Sequence, residues 1–170
     1  LSVLLVFVVA TSASVSLAAE DGLADEVETL HGILNSQADL HAKGVACRRL
    51  AVIGNHDSIP ILAGLLTDEE LSHFARTGLE AIPGPAADEA LRKSLHGLEG
   101  SRLIGVVNSI GNRRDTLAVV PLISLSKDAS ETVQAAVASA LGRIASPEAS
   151  AQLRKSLKAT TGVPPAYLLD

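Results

Sequence analysis

Five histidines, one cysteine and a run of arginines are the residues of this 170-residue chain best suited to chemistry. His31, His41, His56, His73 and His96 stand singly and are followed by Gly, Ala, Asp, Phe and Gly. A metal needs several ligands brought to one helix face or loop. His56-Asp57 is the nearest approach to that, and one such pair makes no site. Cys47 shares an apolar stripe with Leu50 and Ala51 and has no base patterned beside it. It reads as a buried thiol acting as a small hydrophobe. A lone cysteine also excludes an intramolecular disulfide and any Cys-rich zinc or iron–sulfur site. Haem-attachment, phosphate-loop and nucleophile-elbow motifs are missing from the sequence.

The most unusual polar stretch is Arg102–Asp115, with Arg102, Asn108, Asn112, Arg113, Arg114 and Asp115. One reading is a patch for anions, since a guanidinium fork suits carboxylates. The other has Asn112 and Asp115 satisfying backbone groups in a turn, with the arginines solvated or paired locally. The second is the simpler, and Arg48-Arg49 is read in the same way.

Composition narrows the partners. Lys and Arg number 14 against 19 Asp and Glu, a net charge of −5, which repels phosphate backbones and argues against nucleic acid. Aromatic residues are 2 % of the chain, too few to build stacking platforms for bases or sugars. Hydrophobic residues make up 47 %, mostly Leu, Ala, Val and Ile, which suits packed helices.

These helices come in a repeat. Leu50–Gly54 (LAVIG), Leu79–Pro83 (LEAIP), Val107–Gly111 (VNSIG) and Ala138–Gly142 (ASALG) end alike, spaced by 29, 28 and 31 residues. RKSL recurs at Arg92–Leu95 and Arg154–Leu157. Apolar residues at Leu71, Phe74, Ala75, Leu79 and Ile82, and at Val133, Val137, Ala140, Leu141 and Ile144, follow helical periodicity. Helices are predicted near 22–35, 38–53, 57–66, 69–82, 86–97, 100–110, 115–126, 129–144 and 147–160, with no strand. Asp68 and Asp128 are expected as N-caps, Asp128 forming a capping box with Glu131. Ser146-Pro147-Glu148 reads as a cap followed by a first-turn Pro and an acid. Gly54 and Gly111 are expected as left-handed helix ends, and Gly84-Pro85 as a turn. Such short pairs must stack to bury their faces, which predicts an α-solenoid.

The repeat resembles the HEAT-repeat superfamily, in the short form found in PBS-lyase-like HEAT repeats. Pro60 with Asp68, and Pro121 with Asp128, hold the places of that family's first-helix Pro and turn Asp, and Ala135–Gly142 (AAVASALG) its second-helix ending. The likeness is good over Ala46–Leu157 and weak over Leu23–Ile53. Pro85–Gly111 lacks the turn Asp, and the Arg that often follows it is present as Arg76 but not after Asp128. The resemblance implies an all-α, right-handed α-solenoid of stacked helix pairs that binds a protein partner in its groove. The His-Glu dipeptides of the superfamily's iron hydroxylases are missing, and Phe74 and Tyr167 alone would line a bilin pocket once the leader is lost. No catalytic residue, metal or cofactor is therefore expected. Second helices would line the groove, making His73, Arg76, Glu80, Arg102, Asn108 and Gln134 the candidate partner contacts.

Residues 1–19 carry no charge, and the aliphatic run Leu1–Ala10 is too short to span a bilayer. It fits the apolar middle of a signal peptide, with cleavage near Ala18 or Ala19, although no Lys or Arg precedes it. The expected organisation is a signal peptide over 1–19, a helical cap over 20–45, HEAT-like repeats over 46–160, and a further helix, broken off, starting in 161–170. Export would involve the membrane only through the signal peptide. An accessory module at the N-terminus of a larger exported enzyme or redox protein is the alternative. The intact mass of the native exported product should match Glu20–Asp170; a product retaining Leu1–Ala19 would contradict cleavage, and a much larger one the stand-alone module.

Overall fold

The structure is a computed structural model that describes residues 21–127 and 129–161. The proposed signal peptide, residue 20, Asp128 and residues 162–170 lie outside the described residues. Nine α-helices and no strand occur among those described. They are α1 (21–35), α2 (Leu40–Ile53), α3 (Ser58–Gly64), α4 (Ser72–Ala81), α5 (Pro85–Ser94), α6 (Gly100–Asn112), α7 (Val119–Leu125), α8 (Glu131–Ile144) and α9 (Pro147–Thr161). A 3₁₀ turn, Leu65–Thr67, extends α3, and another, Thr116–Ala118, leads into α7.

The even-numbered helices stack on one another in chain order, α2 on α4, α4 on α6 and α6 on α8. On the other side α3 packs on α5 and α7 on α9, and the pairs α3–α4, α5–α6 and α7–α8 join the two layers. One apolar core runs the length of the stack, from Val27, Leu30 and Leu34 through Leu50, Leu62, Leu79, Leu91, Ile110 and Leu122 to Leu141 and Ala149. No pair owns a core of its own, which is the signature of a solenoid.

Local signals set most helix ends. The Asp39 carboxylate accepts the Ala42 amide at 2.7 Å and caps α2. Gly84 has φ +99°, which L side chains rarely adopt, and delivers Pro85 to the first position of α5. The Ser146 hydroxyl accepts the Ala149 amide, and Glu148 is held below the usual carboxylate range by hydrogen bonds to its own backbone and to Ser146. Asp68 acts one turn earlier than expected: its carboxylate accepts the Glu70 and Leu71 amides, and α4 itself starts at Ser72. At α8 the N-cap is Ser130, whose hydroxyl bonds Thr132 rather than a helix amide; the expected capping box of Asp128 with Glu131 involves a residue outside the described ones.

The two glycines expected to be left-handed are needed for space instead. Gly54 has φ −61°, and a Cβ there would meet the Leu50 carbonyl oxygen at 2.3 Å. Gly111 lies inside α6, where a Cβ would come within 2.7 Å of the Ala140 Cα of α8. The left-handed positions after α6 and α8 fall to Arg114 (φ 54°) and Ala145 (φ 52°).

Helix α8 offers a test of sign. Gly111→Ala forces α6 away from α8 and should cost about 1–3 kcal/mol, as overpacking does. Gly142→Ala meets nothing within 4 Å and should gain about 0.5–1 kcal/mol from helix propensity. Leu141→Ala, at a side chain 2 % exposed, should cost about 2–5 kcal/mol. Urea unfolding of the three variants checks the set; the same sign for both glycine changes would contradict the packing.

Candidate functional site

Polar side chains on the even-numbered helices gather on one side of the stack. Arg76 of α4 donates to Glu80 at 2.9 Å, to the Ser109 hydroxyl of α6 at 3.0 Å and to Nδ1 of His73 at 3.0 Å. A guanidinium cannot accept, so in this contact His73 Nδ1 is the acceptor. Glu80 also accepts from Ser109 and, at 3.0 Å, from Asn112. Gly105 makes this crossing possible, because a Cβ there would lie 2.9 Å from Arg76 Nε.

Beside this network α4 and α6 leave a cleft of about 500 Å³, lined by Leu66, Glu69, Ser72, His73, Arg76, Ser101, Arg102, Gly105 and Val106. Leu66 and Val106, both buried, give it an apolar floor, and the arginines give it a polar rim. Arg102 meets only Glu69 across the rim, at 3.3 Å from its Nη1. Its Nε is shielded from solvent and has no hydrogen-bond partner among the described residues.

The six candidate contacts thus divide. His73, Arg76 and Glu80 form one bonded group, and Arg102 shares the cleft with the first two. Asn108 accepts from Arg143 of α8 at 2.9 Å and so joins two repeats. Gln134 is exposed and donates back to the Ala129 carbonyl at 2.9 Å, apart from the others.

Arg113 escaped the sequence reading as an individual, though it is the most engaged cation of the stack. Its side chain is 11 % exposed and donates to the carbonyls of Leu79, Glu80, Ile82 and Gly84 at 2.7–3.1 Å, and to Asp88. Those of Leu79, Glu80 and Ile82 are orphan acceptors at the end of α4, which a helix cannot satisfy by itself, and Gly84 is the N-cap of α5. The available signal was periodicity, since Arg113, the C-cap of α6, follows Val106 and Ile110 of its buried stripe at helical spacing. Asp115 caps the following 3₁₀ turn at Leu117 and pairs with Arg92. Local pairing, the simpler of the two readings of Arg102–Asp115, therefore holds for Arg113 and Asp115, while Asn112 serves Glu80 rather than the turn. Arg49 pairs with Glu26, and Arg48 lies over the Phe74 ring.

Groups that could act as nucleophiles are committed to structure. Cys47 is fully buried, and burial pushes its thiol up to about 11, so it stays protonated at neutral pH. Ser58 contacts His31 Nε2 at 2.8 Å, yet Ser58 is buried at the start of α3 and bonded within its turn. Among the described residues no three His, Cys, Asp or Glu side chains are placed to hold a metal, and no helix is long and apolar enough to cross a membrane.

Stacked antiparallel helix pairs with one shared core and a polar face across successive second helices define a helical-repeat scaffold. Residues 89–163, a stretch that takes in α6 to α9, match the family model for HEAT repeats. No curated protein matches the sequence.

Replacing Arg113 by Lys keeps the charge but not the fork, and leaves helix-end carbonyls unpaired. The variant should lose about 2–4 kcal/mol of stability, whereas exposed Arg114→Lys should stay within about 0.5 kcal/mol of the parent. Equal stabilities in urea would show that the carbonyls are satisfied without the clamp.

Proposed function

We propose that the chain is an exported, non-catalytic scaffold that receives a protein partner on the face built by α4, α6 and α8. The observation that carries this reading is the cleft between α4 and α6, where apolar floor and charged rim meet between two packed helices. A rigid array spends little entropy in ordering its side of an interface, which favours binding. The non-catalytic part rests on the burial of Cys47 and Ser58, the two side chains nearest to a nucleophile arrangement. Export rests on the uncharged apolar stretch Leu1–Ala19. His73, Arg76, Glu80, Arg102, Asn108 and Gln134 stand as the proposed contacts, with Arg76, Glu80 and Asn108 acting chiefly by holding the face in shape.

The test adds bulk to this face without changing its charge. A partner captured from the exported fraction of the source, identified and purified, should bind the double variant His73→Trp, Gln134→Trp at least about tenfold more weakly, a loss of 1.4 kcal/mol. Val120→Lys, at an exposed position of α7 on the other layer, should bind as the parent does. Unchanged binding by the double variant, or loss through Val120→Lys, would overturn the assignment of the face.

A further inference from the structure

Arg102 differs from every other arginine that joins repeats in this stack. Arg76, Arg92, Arg113 and Arg143 each use the guanidinium fork on a hydrogen-bonded partner. Arg102 makes no such hydrogen bond among the described residues. Its Nε is shielded and unpartnered, as is that of Arg143, but Arg143 bonds Ser139 and Asn108 through its two terminal nitrogens, whereas Arg102 has one loose ionic neighbour, Glu69, whose side chain is 86 % exposed. A partly buried guanidinium left this way has lost water without gaining a protein acceptor. Its own side chain is 31 % exposed, so the fork stays within reach of an incoming group.

The surroundings say what that group is. Arg76 is already balanced by Glu80, and the Nδ1 of His73 faces the Arg76 guanidinium at 3.0 Å. With Glu69 displaced the cleft carries a single unbalanced positive charge, on Arg102, which matches a monoanion better than a dianion. A carboxylate also fits the planar fork with two parallel bonds. The hydroxyls of Ser72 and Ser101 stand at the rim, and the first turn of α6, which Glu99 leaves without a side-chain cap, forms part of the wall. Leu66 and Val106 beneath favour apolar side chains next to the charge. A chain of net charge −5 repels a strongly acidic partner, so the acid is expected alone rather than in a run.

We infer that the cleft between α4 and α6 binds a single Asp or Glu carboxylate, flanked by apolar residues, of a protein partner, and that Glu69 is an internal stand-in which the partner's carboxylate displaces from Arg102. The inference rests on the proposed face being the binding face, and it adds the chemistry of the recognised group and a residue that opposes binding. Glu69 loses its contact with Arg102 as the ligand enters, so removing its charge strengthens binding while removing that of Arg102 weakens it. A merely structural role for the Arg102–Glu69 pair would not produce effects of opposite sign.

The experiment is a titration of the ¹⁵N-labelled chain, followed by amide NMR shifts, with the blocked peptide acetyl-Gly-Leu-Glu-Leu-Gly-amide and its Gln counterpart. The Glu peptide should shift the amides of residues 101–105. Arg102→Gln should weaken it at least about tenfold, as for a lost charge-assisted fork. Glu69→Gln should tighten it about threefold, the size of an exposed ion pair. The Gln peptide should bind at least about tenfold more weakly than the Glu peptide. Comparable melting temperatures and amide spectra would establish that the variants are folded. Equal affinity of Arg102→Gln and parent, or no gain in Glu69→Gln, overturns the inference. Inorganic phosphate binding the cleft more tightly than acetate at one ionic strength overturns the choice of a carboxylate. Should the peptide leave the cleft unshifted while the His73→Trp, Gln134→Trp variant still loses its captured partner, the carboxylate assignment falls and the face stands. Should that variant also keep its partner, both fall.

Discussion

No described helix exceeds fifteen residues, and none can hide its apolar stripe alone, so everything in this molecule depends on one helix pair closing over the next. At the contact of α6 against α8, Gly111 sits so near Ala140 that one methyl group would not fit. Close packing of this kind is intolerant of added volume and transmits displacement, so α6 sets the position of both its neighbours. The cleft is a consequence of the same arrangement. It forms where α4 and α6 separate beside Leu66 and Val106, while Gly105 admits the Arg76 side chain between them.

Arginines take two different parts in this stack. Arg113 collects the carbonyls at the end of α4 and reaches Asp88 of α5, fastening three helices at one point. Arg76 and Arg143 each tie a helix to the next even-numbered one, through Ser109 and Asn108. Their energy is invested in the fold, because a buried acceptor stripped of its donor is costly. Arg102 sits in the same layer with nothing comparable to hold, and its ionic neighbour is almost wholly in water. Pairs of that kind add little to stability. The same residue type therefore builds the array at one position and has no comparable structural task at another.

Much of the fold was legible in the sequence because a solenoid is local. All nine helices follow from apolar periodicity, and their neighbours in space are their neighbours along the chain. Helix ends were less legible. Asp68 looks like a cap and is one, but of the turn ahead of α4, and Gly54 and Gly111 look like left-handed stops while their real task is to leave room. A close approach between α6 and α8 depends on residues 29 apart, and no rule about neighbours in sequence reveals it. The site was legible as a set of helix faces, not as bonds. His73, Arg76 and Glu80 fall together because helical spacing puts them there, and Gln134 stays apart because it turns back to Ala129. Arg113 and Arg114 are identical neighbours in sequence, and only the fold makes the first a clamp and leaves the second exposed.

The division between holding and recognising arginines can be measured directly with two double-mutant cycles in urea unfolding, Arg113→Ala with Asp88→Ala and Arg102→Ala with Glu69→Ala. A coupling of about 1–3 kcal/mol is expected for the first pair, partly buried and hydrogen-bonded. For the second, a coupling below about 0.5 kcal/mol is expected, as for an exposed pair. Equal couplings would contradict the division, since Arg102 would then be one more fastening of the stack rather than the residue left free to bind.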